Sequence, residues 1–214
     1  MIIGKKMTIL LLLFTLLLST LSFASVIENS QSDVNLKLKY PLVYINNPVA
    51  QEKINQDIAN RVLYAKDLYY NKKSFEVRTF YDITFEDERY LSIIFYTYYW
   101  NGLGVHGFYT GQGLVYDKET GDKIPLEYFV TPPTAEQINQ FSYGPLISVY
   151  SESNKILTTH YPIKECSHNY CLPGNGSIDL LYQPYFLASF AAGVTHVRLS
   201  PAIIEYFNRQ PLDS

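Results

Sequence analysis

A chain of 214 residues with 20 tyrosines, 12 phenylalanines and a net charge of −3 is the size of one ordinary domain. It lacks the clustered Lys and Arg that phosphate contacts require, which excludes nucleic acid as its expected partner. Tyrosine favours pleated strands and carries a polar tip on an apolar body, so the composition reads as sheet-rich. Partly exposed Tyr faces suit protein or sugar, although most Tyr are expected simply to pack the sheet.

Lys5 and Lys6 precede an apolar run at residues 7–18, followed by Ser22-Phe23-Ala24. A basic n-region, an apolar h-region and a small-x-small site make up a secretory signal peptide. Residues 1–24 are therefore expected to be the leader and 25–214 a single domain, periplasmic or secreted. The uncharged stretch 7–26 is also 20 residues long, enough for an uncleaved anchor. In that case too the domain faces outward. After cleavage no other run is apolar enough to span a membrane. Loss of Lys5 and Lys6 takes the charge from −3 to −5, which is compatible with a basic protein partner.

Residues 26–34 are polar and read as a frayed lead-in. Leu36-Lys37-Leu38-Lys39-Tyr40 alternates as a strand that Pro41 should stop. Asn47-Pro48 is a helix start, cap then first-turn proline. Ile54, Ile58, Val62, Ala65 and Tyr69 then recur at helical spacing, which predicts one amphipathic helix over 48–70. Residues 75–85 alternate strictly, Glu86-Asp87-Glu88-Arg89 turns the chain, and 91–100 runs back with both faces apolar, as in a covered central strand. A Gly-rich loop at 101–107 leads to a strand at 108–116, a turn at 117–121 and a return strand at 122–126. Thr134-Ala135-Glu136-Gln137 is a capping box that opens a short helix to about Phe141. Residues 145–173 are irregular. Two more strands are predicted at 177–186 and 195–199, and Ser200-Pro201 starts a last helix. The fold class is α+β: one mainly antiparallel sheet, a long helix packed on it, and short additional helices.

Few residues invite chemistry. Gly102 to Gly107 has the wrong spacing for a dinucleotide loop, and no helix follows it to receive a phosphate. His106 there lacks the nucleophile and orienting partner of a general base, and neither G-x-S-x-G nor H-E-x-x-H occurs. His160, His168 and His196 are scattered singly. Cys166-Ser167-His168-Asn169-Tyr170-Cys171 holds three soft ligands, but structural zinc sites use four, usually as two pairs. In an exported protein the reading is a Cys166–Cys171 disulfide, with no metal and no cofactor. Asp117, Glu119, Asp122 and Glu86 to Glu88 fall in turns, where solvated turn chemistry accounts for them better than a glycosidase carboxylate pair.

Two blocks carry a resemblance. Tyr98-Tyr99-Trp100-Asn101-Gly102 through His106-Gly107, with Val115-Tyr116-Asp117-Lys118-Glu119-Thr120-Gly121-Asp122-Lys123-Ile124-Pro125-Leu126, resembles Y-x-G-G-A-H-G … Y-D-x-x-T-G-K-x-L-x-L. Leu180-Leu181-Tyr182-Gln183-Pro184-Tyr185-Phe186-Leu187-Ala188 through Gly193 resembles F-x-x-Y-E-I-A-P-Y-A-x-G. Both patterns belong to the extracytoplasmic domain of lysozyme-sensing anti-sigma factors; a related domain of unknown function lies next to peptidoglycan deacetylase domains. The resemblance implies an α+β fold and a binding or sensing role at the cell envelope, with a lysozyme-like protein or cell-wall glycan (peptidoglycan) as ligand. The alternatives are an envelope hydrolase acting on peptidoglycan or polysaccharide through an unrecognised site, and a purely structural accessory domain. No catalytic residue is assigned. The expected ligand surface is Trp100, His106 and Tyr109, around the Gly-rich loop.

Overall fold

The strands predicted from alternation do form, but they are divided between two stacked sheets. The computed structural model describes residues 26–142 and 146–210; the expected leader, residues 1–24, lies outside the described residues. The first sheet has the order β1 (Val26–Ser32), β2 (Leu36–Val43), β3 (Glu76–Glu86), β4 (Tyr90–Trp100), β5 (Phe108–Asp117). All its pairs are antiparallel except β2–β3. That parallel pair needs a crossover, supplied by helix α1 (Pro48–Tyr70). Asn47 caps the helix: its side-chain oxygen accepts from the N–H groups of Val49 and Ala50 at 3.0 and 3.3 Å. The predicted apolar stripe faces the sheet, where Ile54, Ile58, Val62 and Ala65 pack on Leu38, Val77, Ile93, Phe95 and Leu114.

The second sheet has the order β6 (Ile147–Tyr150), β9 (Thr195–Leu199), β8 (Ile178–Tyr182), β7 (Tyr170–Cys171), all antiparallel. Its outer face packs Leu180, Val197 and Leu199 against Ile138 of α2 (Ala135–Phe141) and against Ile203 and Phe207 of α3 (Pro201–Arg209). The capping box at Thr134 and Gln137 forms as predicted. The inner face sets Cys171 and Leu181 against Ile94 and Tyr96 of β4. β4 is therefore covered on both sides, as its apolar faces predict.

Four expectations change. Residues 26–32 are an edge strand, because the backbone of β2 pairs with them although their side chains are mostly exposed. Pro41 does not end β2: β3 pairs only with residues 36–38, so at Pro41 β1 alone flanks the strand, and an edge position tolerates the missing N–H. The return strand at 122–126 shrinks to one bridge, Tyr116 to Lys123, before a 3-10 turn at Leu126–Tyr128 drives Leu126 into the core. The Cys166–Cys171 disulfide is absent and both thiols are free. Cys171 points between the sheets, whereas Cys166 packs on the opposite face of the second sheet.

The sheets meet closely at β5. A Cβ on Gly113 would lie 1.8 Å from the Tyr170 carbonyl oxygen, so only glycine permits this approach. Two side-chain amides act there as a substitute strand. Asn169 accepts from the Gly113 N–H and donates to the Gly111 carbonyl, and Gln183 accepts from the Gly111 N–H and donates to the same carbonyl. Among the described residues no helix is long and apolar enough to cross a membrane.

Candidate functional site

The loop at 101–107 joins β4 to β5 and is shaped by Gly102 and Gly104, both at φ +83°. It leaves Leu103 and Val105 exposed at its tip. The expected ligand surface divides across this loop. At its start, the Trp100 indole donates to the Leu103 carbonyl at 2.9 Å, and its ring meets Phe75 edge-on, centroids 5.4 Å apart. At its end, His106 stacks on Phe190 with centroids 4.0 Å apart and the rings 18° from parallel. Tyr109 meets the same Phe190 edge-on at 5.6 Å. The structure thus brings His106 and Tyr109 together and leaves Trp100 outside their cluster.

The His106 ring is fixed by two hydrogen bonds. Nδ1 lies 2.8 Å from the Gly107 carbonyl oxygen, which can only accept, so Nδ1 carries the proton. Nε2 then accepts from the Tyr185 hydroxyl at 3.3 Å. The Tyr109 hydroxyl donates to Glu152 Oε2 at 2.8 Å, and the Val194 N–H donates to the same oxygen at 2.9 Å. Burial, reinforced by this carboxylate, raises the Tyr109 phenol well above its usual pKa. Tyr109 is a neutral donor that locks the cluster to the 193–194 turn.

Sequence reasoning missed Tyr185, Phe186 and Phe190. Tyr185 and Phe186 sit on a turn, Gln183-Pro184-Tyr185-Phe186, in which the Phe186 N–H donates to the Gln183 carbonyl at 3.1 Å, and Phe190 opens a 3-10 turn at Phe190–Ala192. Pro184 stands at the second position, where proline pre-sets the turn, and that much was a readable signal. Tyr185 occupies the third position at φ +73°, where glycine or asparagine is usual. Tyr185 and Phe186 are both more than half exposed. They border an open groove of about 420 Å³ whose other walls are Pro162, Lys164, Glu165, Tyr182 and Leu187. The Tyr182 hydroxyl donates to the Glu165 carbonyl at 2.8 Å, which steadies the charged wall.

A second, inner cleft of about 260 Å³ opens between the sheets. Asp179 on β8 is 1 % exposed there. It receives Arg198 Nε at 2.7 Å and Nη2 at 2.8 Å, and His196 Nδ1 at 3.2 Å. Arg198 also lies 4.5 Å over the Tyr150 ring. Burial pushes the Asp179 carboxyl up, but Arg198 and His196 outweigh it and hold the group below the usual carboxylate range. Asp117 is likewise lowered: its partial burial is outweighed by the N–H groups of Glu119 and Thr120 and by Arg89. Glycoside hydrolysis needs a carboxylic acid shifted the other way. Cys171 beside Asp179 is fully buried, and burial followed by the Asp179 charge raises its thiol far from a nucleophile's range. Burial, then Glu127, pushes Cys166 up to about 11. Of the remaining histidines, His168 pairs with Glu127 at 2.7 Å, and His160 Nδ1 lies 2.8 Å from the Tyr161 carbonyl.

No protein-family model matches this sequence, and no curated protein matches it. Solved structures do resemble it. A member of the DUF3298 family from Bacteroides fragilis superimposes with a TM-score of 0.52 at 13 % identity, covering 86 % of this chain and 92 % of that one. A DUF3298 family protein from Pseudomonas aeruginosa gives 0.49 at 10 % identity, covering 82 % and 87 %. At 13 % identity the likeness is one of architecture: this chain has the fold of a DUF3298 domain, a domain of unknown function.

Proposed function

We propose that this chain is a non-catalytic binding domain exported to the cell envelope, with a lysozyme-like protein or a cell-wall glycan as its ligand. The observation that carries this reading is the aromatic cluster in which Tyr185, exposed on a strained turn, meets His106 from the Gly-rich loop and Phe190 from the 3-10 turn at 190–192. A non-glycine residue in the left-handed region costs roughly 1–2 kcal/mol. Folding alone favours glycine at position 185, so the ring is held outward at some cost to stability. Exposed aromatic faces beside Lys164 and Glu165 suit a partner that offers both apolar surface and hydrogen-bonding groups. The acidic mature charge favours a basic protein.

The test is capture of lysozyme and of purified peptidoglycan by the chain at low and high salt, with Tyr185→Gly in parallel. Capture of one ligand is expected, weakened at least ~10-fold by Tyr185→Gly while the fold persists; ~1.4 kcal/mol corresponds to that factor. Lysozyme capture should also fall as salt rises. Failure to capture either ligand, or capture indifferent to Tyr185, would remove the reading. Turnover of peptidoglycan that drops ~100-fold in Glu152→Gln would put the hydrolase alternative in its place.

A further inference from the structure

At the wall of the inner cleft lies a donor set that the surface cluster does not use. Cys171 on β7 is the register partner of Asp179 on β8, and Asp179 is the register partner of Arg198 on β9. His196 lies two residues before Arg198, so it shares Arg198's side of the strand. These side chains therefore occupy one face of the second sheet, turned toward Thr84, Ile94 and Tyr96 of the first. One donor atom from each of Cys171, Asp179 and His196 lies within 4.8 Å of the other two.

We propose that Cys171, Asp179 and His196 bind a soft divalent cation of the zinc class, with water from the cleft completing the coordination. Thiolate, imidazole and carboxylate form a donor set that zinc takes in tetrahedral geometry. Metal–ligand distances of about 2.0–2.3 Å place donors roughly 3.5 Å apart, so the cluster closes by about 1 Å on binding.

Three further features fit. His196 Nε2 is buried and has no hydrogen-bond partner among the described residues, while Nδ1 faces Asp179. Nδ1 lies 3.2 Å from Asp179 Oδ2, the spacing of two donors on one tetrahedral ion, so the metal takes the Nδ1 lone pair and the ring proton sits on Nε2. Asp179 keeps acceptor capacity despite its partners: Oδ1 receives only Arg198 Nε, and a carboxylate oxygen has two lone pairs. The metal can share Asp179 while Arg198 remains in place. Charge also favours a cation, since Asp82, Glu152 and Asp179 line the cleft against the single guanidinium of Arg198. Binding deprotonates the Cys171 thiol: the S–H bond breaks, the sulfur–metal bond forms, and one proton leaves to solvent.

The experiment is titration of the full, reduced chain with Co²⁺ followed by displacement with Zn²⁺. The expected result is one equivalent bound, with a thiolate-to-metal charge-transfer band and the visible bands of four-coordinate cobalt, both abolished by Zn²⁺. Cys171→Ser should remove the charge-transfer band. His196→Gln, which keeps the strand's bulk, should weaken binding by at least the 10–100-fold seen when even outer partners are lost. Cys166→Ser should change neither. Absence of stoichiometric binding, or a band that survives Cys171→Ser or vanishes with Cys166→Ser, overturns the proposal. Because wild-type and His196→Gln are compared directly, a misfolded Cys171→Ser does not obscure the answer.

Discussion

The two sheets are covered by different means. The first, under α1, is closed by aliphatic and aromatic side chains such as Ile54, Ile58, Ile93 and Phe95. The second has an equally apolar outer face, yet its inner face carries Asp179, His196 and Arg198. A dry apolar interior is nondirectional and tolerates adjustment, whereas a buried ionic cluster is favourable only when every member keeps its partners. The first region is thus scaffold. The second combines structure with polar groups that a scaffold does not require, and the exposed aromatic turn springs directly from its strand β8.

Arg198→Ala strands the Asp179 carboxylate and should cost about 3–5 kcal/mol by urea unfolding. A loss below ~1 kcal/mol would mean that the inner cluster is hydrated and the contrast false. Ile58→Ala in α1 should cost about 2–5 kcal/mol through cavity formation, and unlike the Arg198 effect this loss should be the same at pH 7 and pH 3. Acid should act on the second region selectively. Because the folded Asp179 pKa is depressed, its contribution is fully present above the unfolded value of about 3.9 and is lost as pH falls through the folded one. The urea midpoint should therefore drop below about pH 4, and less so in an Asp179→Asn, Arg198→Met double variant. The smallest expected change is Tyr185→Gly, which relieves a left-handed tyrosine and should leave stability equal or raise it by up to about 1 kcal/mol. A clear loss would show that the ring holds the fold together.

The same contrast governs what the sequence reveals. Helix α1 was readable because Asn47-Pro48 caps it and Ile54, Ile58 and Val62 keep the helical period. Strand β4 was readable because both its faces are apolar. In the second region β7 has only two residues, and its place depends on β8 and on the Asn169 amide, 56 residues from its partner Gly113. Local pattern carries no record of such a contact. The short loop between Cys166 and Cys171 favoured a bridge, but the reach of a loop does not report which face of a sheet each thiol joins. Asp179 did leave a trace, as the one charge within the apolar run Ile178–Tyr182. Its partners on β9 were visible only once the strands were paired. His106 lies on the Gly-rich loop and Tyr109 at the start of β5, while their common contact Phe190 comes from a 3-10 turn at 190–192, far along the chain, which local pattern does not mark.

The amides of Asn169 and Gln183 have one more effect. They occupy outward backbone groups of Gly111 and Gly113, and Val115 receives the Ile124 N–H, so the middle of β5 is closed to a foreign strand. Among the described residues the opposite border of the same sheet, β1, has no such cover. A sheet open on one side can zip to a single copy of itself and then stops, because the pair presents two sealed ends. Strand-to-strand association through β1 would therefore stop at a dimer rather than grow into a fibre.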